Sequence, residues 1–281
     1  MKKLYLLIIV LSIFSCKNNK SEVISKQEKP QQKQHVIKNF QTIIDSANVE
    51  GAILVYDLNK NTYYSNDFKW IKKGFLPAST FKIPNSIIAL ESGLVKNDSA
   101  LFIWKGEKRG MKVWEQDLTL KQAFHFSCVP CYQDIARRIG VKRMKSYVKK
   151  LNYGNIKVDS TSIAMFWLEG ASQINQLQQI DFLKRFYASE LPISRNTETI
   201  MKRMMLIEET ETYKISGKTG WSIRNGNNNG WFVGYVESES NVYFFATNII
   251  PKKDFNMNMF PLIRKEITYK ALKKMNLIKE K

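Results

Sequence analysis

The chain has 281 residues, enough for one full-sized domain or two small ones. Hydrophobic residues make up 44% and aromatics 12%, so a packed core can form and wholesale disorder is excluded. Lys and Arg number 44 against 25 Asp and Glu; the resulting +19 suits an anionic partner without choosing among nucleic acid, membrane and acidic substrate.

At the N-terminus, Lys2 and Lys3 precede an apolar run, Leu4 to Phe14. The run is too short to cross a bilayer and fits the core of a signal peptide. Ser15-Cys16 stands at the cleavage point, as in a bacterial lipoprotein signal. Residues 1–15 are therefore expected to be a lipoprotein-type signal peptide, with Cys16 lipidated and the protein held at a membrane facing the periplasm; ordinary secretion or an uncleaved anchor is the alternative. Residues 16–38, rich in Lys, Gln, Asn and Ser, are expected to form a flexible basic tether. The folded domain is expected over 39–281.

Much of the charge lies outside that domain's centre. Residues 17–38 hold +4, residues 264–281 hold +5, and Lys2 with Lys3 hold +2, which leaves +8 on the other 225 residues. Only nine of the 44 basic residues are Arg, the side chain that reads phosphates and guanine edges bidentately. No zinc-finger spacing or aromatic-rich RNA motif is present. The expected reading is a solvated Lys-rich surface, with no nucleic-acid partner.

In chain order, Glu50–Leu58 and Asn61–Asn66 flank an Asn59-Lys60 turn and predict a β-hairpin. Pro77-Ala78-Ser79 opens an apolar helix to about Ser92, ended by Gly93. Residues 118–151 are helical in pattern with short breaks, and 156–172 look irregular. Helices are predicted over 176–188 and 197–208, the second started by the polar cluster at 194–197. Strand patterns follow at 212–216, 231–237 and 242–248, with a polar turn over 225–229. A last helix spans about 260–277. Strands at both ends with helices between them imply an α/β chain of the α+β kind. Its antiparallel central sheet would be flanked by helices and carry an inserted all-helical lobe. A site between sheet and lobe is then expected.

Cys128 and Cys131 form a C-x-x-C with no second pair for structural zinc. An oxidising compartment would permit a disulfide, but a bridge inside a regular helix is geometrically awkward, so two small buried side chains are the expected reading. With two His in the chain, and His35 in the tether, a Ser-His-Asp triad would have to use His125.

The search for a base moves to Lys. S-x-x-K occurs twice, at Ser79-Thr80-Phe81-Lys82 and at Ser146-Tyr147-Val148-Lys149. Three residues is nearly one helical turn, so either pair shares a face. At Ser79 a helix N-terminus offers free N–H groups to an oxyanion, and apolar surroundings disfavour a charged Lys82. Ser146 lies in a basic helix and reads as surface. Alone, Ser79 would read equally as an N-cap hydroxyl. Lys218-Thr219-Gly220 follows a strand pattern: Gly220 admits a ligand close to the backbone, and Lys218 with Thr219 could hold a carboxylate.

Together and in order, these motifs resemble the penicillin-recognising serine enzymes, which carry S-x-x-K and K-T-G. Ser127-Cys128-Val129, Tyr153-Gly154-Asn155, Phe166 to Gly170 and Gly230 to Tyr235 narrow the resemblance to class D, oxacillinase-type β-lactamases over residues 49–274. The fold implied is the β-lactamase/transpeptidase one. The resemblance implies Ser79 as nucleophile and Lys82 as general base, carbamylated by CO2 (an N6-carboxylysine). It gives Ser127 a proton relay, Trp167 a hydrogen bond to the carbamate, and the N–H groups of Ser79 and Trp221 the oxyanion hole. Lys218, Thr219, Gly220 and Arg264 would meet the substrate, with Val129 packed near Lys82. No metal and no other cofactor is implied. The partner is a small β-lactam, the membrane is met through the N-terminal lipid anchor, and the state is monomer or homodimer. A sensor or peptidase that stays acylated on Ser79 is the alternative. Cys128 departs from the family pattern, as does Ala171 to Ile174.

Overall fold

Residues 32–238 and 240–279 are described in the computed structural model, so the signal segment, Cys16 and the tether up to residue 31 lie outside it. In chain order the elements are β1 (Lys33–Val36), α1 (Lys38–Ser46), β2 (Val49–Asp57), β3 (Thr62–Ser65), α2 (Lys82–Glu91), β4 (Leu101–Phe102), β5 (Leu118–Thr119), α3 (Leu120–His125) and α4 (Val129–Ile139). There follow α5 (Val141–Leu151), α6 (Gln176–Tyr187), α7 (Arg195–Met205), β6 (Leu206–Glu209), β7 (Tyr213–Arg224), β8 (Asn227–Ser238), β9 (Asn241–Pro251) and α8 (Phe260–Lys274).

Seven strands form one sheet in the order β1-β3-β2-β9-β8-β7-β6, antiparallel except for the β1–β3 pair. The first hairpin thus meets the last three strands at the sheet's middle, where β2 pairs with β9 over Val49–Pro251 to Asp57–Tyr243. The last strands run longer than the sequence pattern predicts. The expected polar turn over 225–229 shrinks to Asn225-Gly226, both at positive φ (49° and 76°), which is the Asn-Gly chemistry of a two-residue hairpin.

Alternation along the strands sorts two cores. On one face Ile53, Val55, Phe232 and Phe245 meet Phe40 and Ile44 of α1 and Ile263 and Ile267 of α8. On the other, Leu54, Trp231, Val233 and Phe244 join the core of the helical lobe. Residues 82 to 90 of α2 are all buried, so this helix is the lobe's axis and not an amphipathic surface helix. Antiparallel sheet, flanking helices and inserted lobe agree with the expected fold class.

The expected tether is too long by its last residues. Lys33–Val36 adds a parallel edge strand to β3, and His35 stacks on Tyr64 with centroids 5.6 Å apart. All four residues of this strand are exposed, so no in-out alternation marks it in the sequence.

Candidate active site

Ser79 lies in a 3-10 turn, Ala78–Phe81, that leads into α2; the α-helix proper begins at Lys82 and not at the expected Pro77. Ala78 takes a left-handed φ of 51°, a costly conformation for a residue with a Cβ. Several bonds hold it there. Ala78 N donates to Trp167 O (2.8 Å), and Thr80 Oγ1 donates to Pro77 O (2.6 Å) while accepting from Gln179 Nε2 (2.9 Å). Tyr153 Oη lies 3.2 Å from the same hydroxyl. On the open side, β7 presses against the turn: a Cβ on Gly220 would come within 3.2 Å of Pro77 O and 3.3 Å of Ala78 Cβ.

Lys82 is 1% exposed, and its Nζ donates to Ser79 Oγ at 2.9 Å. Burial alone brings its pKa down to about 7, so near neutrality a large fraction is uncharged amine. Its Nζ lies 5.0 Å from the centre of the Tyr132 ring, whose hydroxyl bonds Ser86 Oγ (2.6 Å). Nothing in the sequence singles out Tyr132 beyond its place after Ser127-Cys128-Val129.

Trp167 stacks on Phe81 at 6.1 Å and is 1% exposed. Its indole N–H is buried with no partner among the described residues. Orphan donors of this kind are rare, and this one is suited to a group with acceptor oxygens. The irregular loop that carries it, 156–172, is closed by paired bridges, Asn155 with Gln173 and Phe75 with Ile174. Ser172 Oγ ties to Lys157 N as well. These contacts give the stretch Ala171 to Ile174, which departs from the family pattern, a plain structural place.

Ser127 sits between α3 and α4 at φ 52°, left-handed like Ala78. Its Oγ accepts from Lys218 Nζ, which also donates to Thr219 O (3.1 Å). Cys128 and Cys131 are joined in a disulfide with Cα atoms 5.4 Å apart, against the expectation of two free side chains. The geometric objection to a bridge inside a helix does not apply, because Cys128 is the N-cap of α4 with an extended ψ of 102°. Its Sγ also accepts from Cys131 N (3.2 Å). Val129 is the first residue of α4 and half-buried. His125 is engaged elsewhere, by Met204 O at 2.7 Å.

On β7, alternation sends Lys218 and Gly220 toward the lobe and Thr219 and Trp221 toward α8. Trp221 packs on Phe260 (5.4 Å), donates from Nε1 to Asn228 Oδ1 (2.8 Å), and its ring centre lies 5.9 Å from Arg264 Cζ. Arg264 is buried, contrary to a surface reading of that basic helix, and donates to Gly220 O, to Phe260 O (3.1 Å) and to Pro261 O (3.1 Å). Gly230 leaves its room: a Cβ there would stand 2.8 Å from Arg264 Cδ. Burial pushes the Arg264 pKa down to about 10. Lys218 is held well below its ordinary value, first by burial and then by Lys82, Arg264 and Lys265. Lys218, Arg264 and Lys265 crowd one side of the cleft, and an anion entering it relieves their repulsion.

The second S-x-x-K does not join this cluster. Ser146 and Lys149 are exposed on α5.

Comparison with known proteins matches residues 17–273 to the penicillin-binding protein transpeptidase domain. The β-lactamase OXA-10 of Pseudomonas aeruginosa is 41% identical over 233 residues, 82% of this chain and 86% of the relative. The β-lactamase OXA-48 of Klebsiella pneumoniae is 39% identical over 218 residues, 78% of this chain and 82% of the relative. The crystal structure of a class D β-lactamase, YbXI from Nostoc, superposes with a TM-score of 0.82 at 42% identity, covering 85% of this chain and 99% of that one.

Proposed function

We propose a reaction course for this chain, which belongs to the penicillin-binding transpeptidase family and within it to the class D serine β-lactamases. Ser79 is the nucleophile and Lys82 carries the base. The observation that supports this most is a buried amine, its pKa near 7, bonded to the Ser79 hydroxyl at 2.9 Å. An uncharged amine is the form that adds CO2, and the unpartnered Trp167 N–H can donate to the product. The carbamate supplies a carboxylate base beside Ser79 Oγ.

Lys218, Thr219 and Arg264 hold the substrate carboxylate, and Gly220 lets the ring lie close to the β7 backbone. Val129 closes the apolar side near Lys82. Ser79 Oγ gives up its proton and bonds the lactam carbonyl carbon. The backbone N–H groups of Ser79 and Trp221 stabilise the oxyanion. The C–N bond breaks as Ser127, held by Lys218, passes a proton to the ring nitrogen. Water then adds to the ester carbon, the C–Oγ bond breaks, and Ser79 recovers its proton. The product is the ring-opened acid. In a cell this would confer β-lactam resistance, from the periplasm and from a lipid anchor at Cys16.

The test mixes purified protein with a chromogenic cephalosporin, with and without added bicarbonate. Fast turnover that rises with bicarbonate supports the reading. A stable one-to-one adduct on Ser79 without turnover would sink the hydrolytic mechanism in favour of a sensor or peptidase.

A further inference from the structure

The +8 on the 225 central residues is not spread evenly. Residues 135–158 carry eight cations and no acid. Removing them leaves 21 basic and 21 acidic residues on the other 201, so this one segment holds the whole excess.

All eight are exposed, and five of them lie on the single helix α5. Lys142, Arg143, Lys145, Lys149 and Lys150 of α5 are exposed, as are Arg137 and Arg138 at the end of α4. At 3.6 residues per turn the five on α5 span an arc of about 160°, opposite the buried Met144, Val148 and Leu151. Acidic partners are few. Asp134 lies 3.4 Å from Arg138, and Glu91 faces Lys150; no ion pair reaches the other cations of α5 among the described residues. At the α4–α5 corner a shallow concavity of ≈ 480 Å³ has Ile139, Gly140 and Val141 at its base and Lys142, Arg143 and Ser146 around it.

We propose that the exposed face of α5, with the end of α4, is a docking surface for an anionic lipid bilayer. Charge complementarity selects an extended anionic plane, because five cations on one rigid face can all meet it at once. The face lacks the free aromatic side chains on which bases stack: Tyr147 is half-buried and already faces Lys150, Nζ to ring centre 5.3 Å. The expected lipid anchor at Cys16 adds a second signal, and a single acyl chain needs such a partner for stable attachment. This inference does not depend on the reaction proposed above.

The experiment uses the full chain and sedimentation with vesicles, either pure phosphatidylcholine or phosphatidylcholine mixed with phosphatidylglycerol. Pure phosphatidylcholine reads what the N-terminal segment contributes; the added affinity on mixed vesicles reads the cationic face. Two triple variants each lower the net charge from +19 to +13: Lys142→Glu/Lys145→Glu/Lys149→Glu on α5, and Lys270→Glu/Lys274→Glu/Lys279→Glu near the C-terminus. The α5 triple should cut the added affinity about a hundredfold and the C-terminal triple by less than about threefold. Salt should suppress the native increment. The milder Lys145→Gln/Lys149→Gln variant should give an intermediate loss, which covers a triple that fails to fold. Equal losses in the two triples, or no preference of the native chain for mixed vesicles, overturns the proposal. So does capture of the chain by a nucleic acid, dependent on α5, without a vesicle increment. Turnover of the chromogenic cephalosporin is followed in every variant. Its absence in the native chain, with vesicle binding intact, would count against the reaction and leave the surface standing.

Discussion

Ser79-Thr80-Phe81-Lys82 and Ser146-Tyr147-Val148-Lys149 obey one pattern, and both put a hydroxyl and an amine nearly one turn apart. The first pair is buried, joined at 2.9 Å, and its amine is brought to about pH 7. The second is exposed on a helix crowded with cations. Spacing alone therefore carries no chemistry. What separates the two is desolvation and the strained turn that aims Ser79, held by Trp167 O, Gln179 and Gly220. The same residues that make α5 useless for catalysis suit it to an anionic surface.

The sharpest way to break this comparison is to truncate both amines. Lys82→Ala should lower turnover about a thousandfold or more, as loss of a general base does, while Lys149→Ala should stay within about twofold of the native rate. Equal losses measured with the chromogenic substrate would contradict the distinction. The pH profile follows from the same burial. Because the Lys82 pKa is depressed, its neutral form is lost as pH falls through about 7. Turnover should be flat above that value and fall about tenfold per unit below it, reaching about a hundredfold at pH 5. The Lys149→Ala profile should overlay the native one.

Trp167→Phe sharpens the comparison further. It keeps an aromatic ring against Phe81 but removes the indole N–H together with part of the buried ring. Losing one hydrogen bond to a charged group is worth about 1.5–3 kcal/mol, so turnover should drop roughly tenfold to a hundredfold. Added bicarbonate should recover part of it, and a rate loss indifferent to bicarbonate would assign Trp167 to packing alone.

How much of this was legible in the sequence depended on what each feature needed. The first hairpin, the antiparallel sheet and the helical middle follow from periodicity. The apolar run after Ser79 rightly implied a desolvated Lys82, because α2 has no polar face to give it to water. The edge strand Lys33–Val36 was illegible, since both its faces meet solvent. The Cys128–Cys131 bridge was missed because it depends on an N-cap geometry that spacing does not encode. The supports of Thr80, by Gln179 and Tyr153, join residues up to 99 positions apart and leave no local mark. The cationic face was hidden for a different reason: a net charge averaged over 225 residues cannot show that 24 of them hold it all.

The smallest effect on catalysis should come from the glycine that begins α5. Gly140 has φ 76° and ψ 160°, a conformation open essentially to glycine alone, and it turns the chain from α4 into α5. A Cβ there would meet nothing within 4 Å, so Gly140→Ala strains the backbone without a clash. The expected cost is about 1–3 kcal/mol of stability, a fall in Tm of about 2–4 °C per kcal/mol for a domain of this size. Turnover at 25 °C should be unchanged, because the strain falls on the corner that presents the cations and not on the turn that aims Ser79. Gly220→Ala supplies the opposite case: its Cβ would push on Pro77 and Ala78 directly, so turnover should fall with little change in Tm. If thermal melts and turnover moved together in both variants, the two helices would not be separable as a catalytic axis and a surface element.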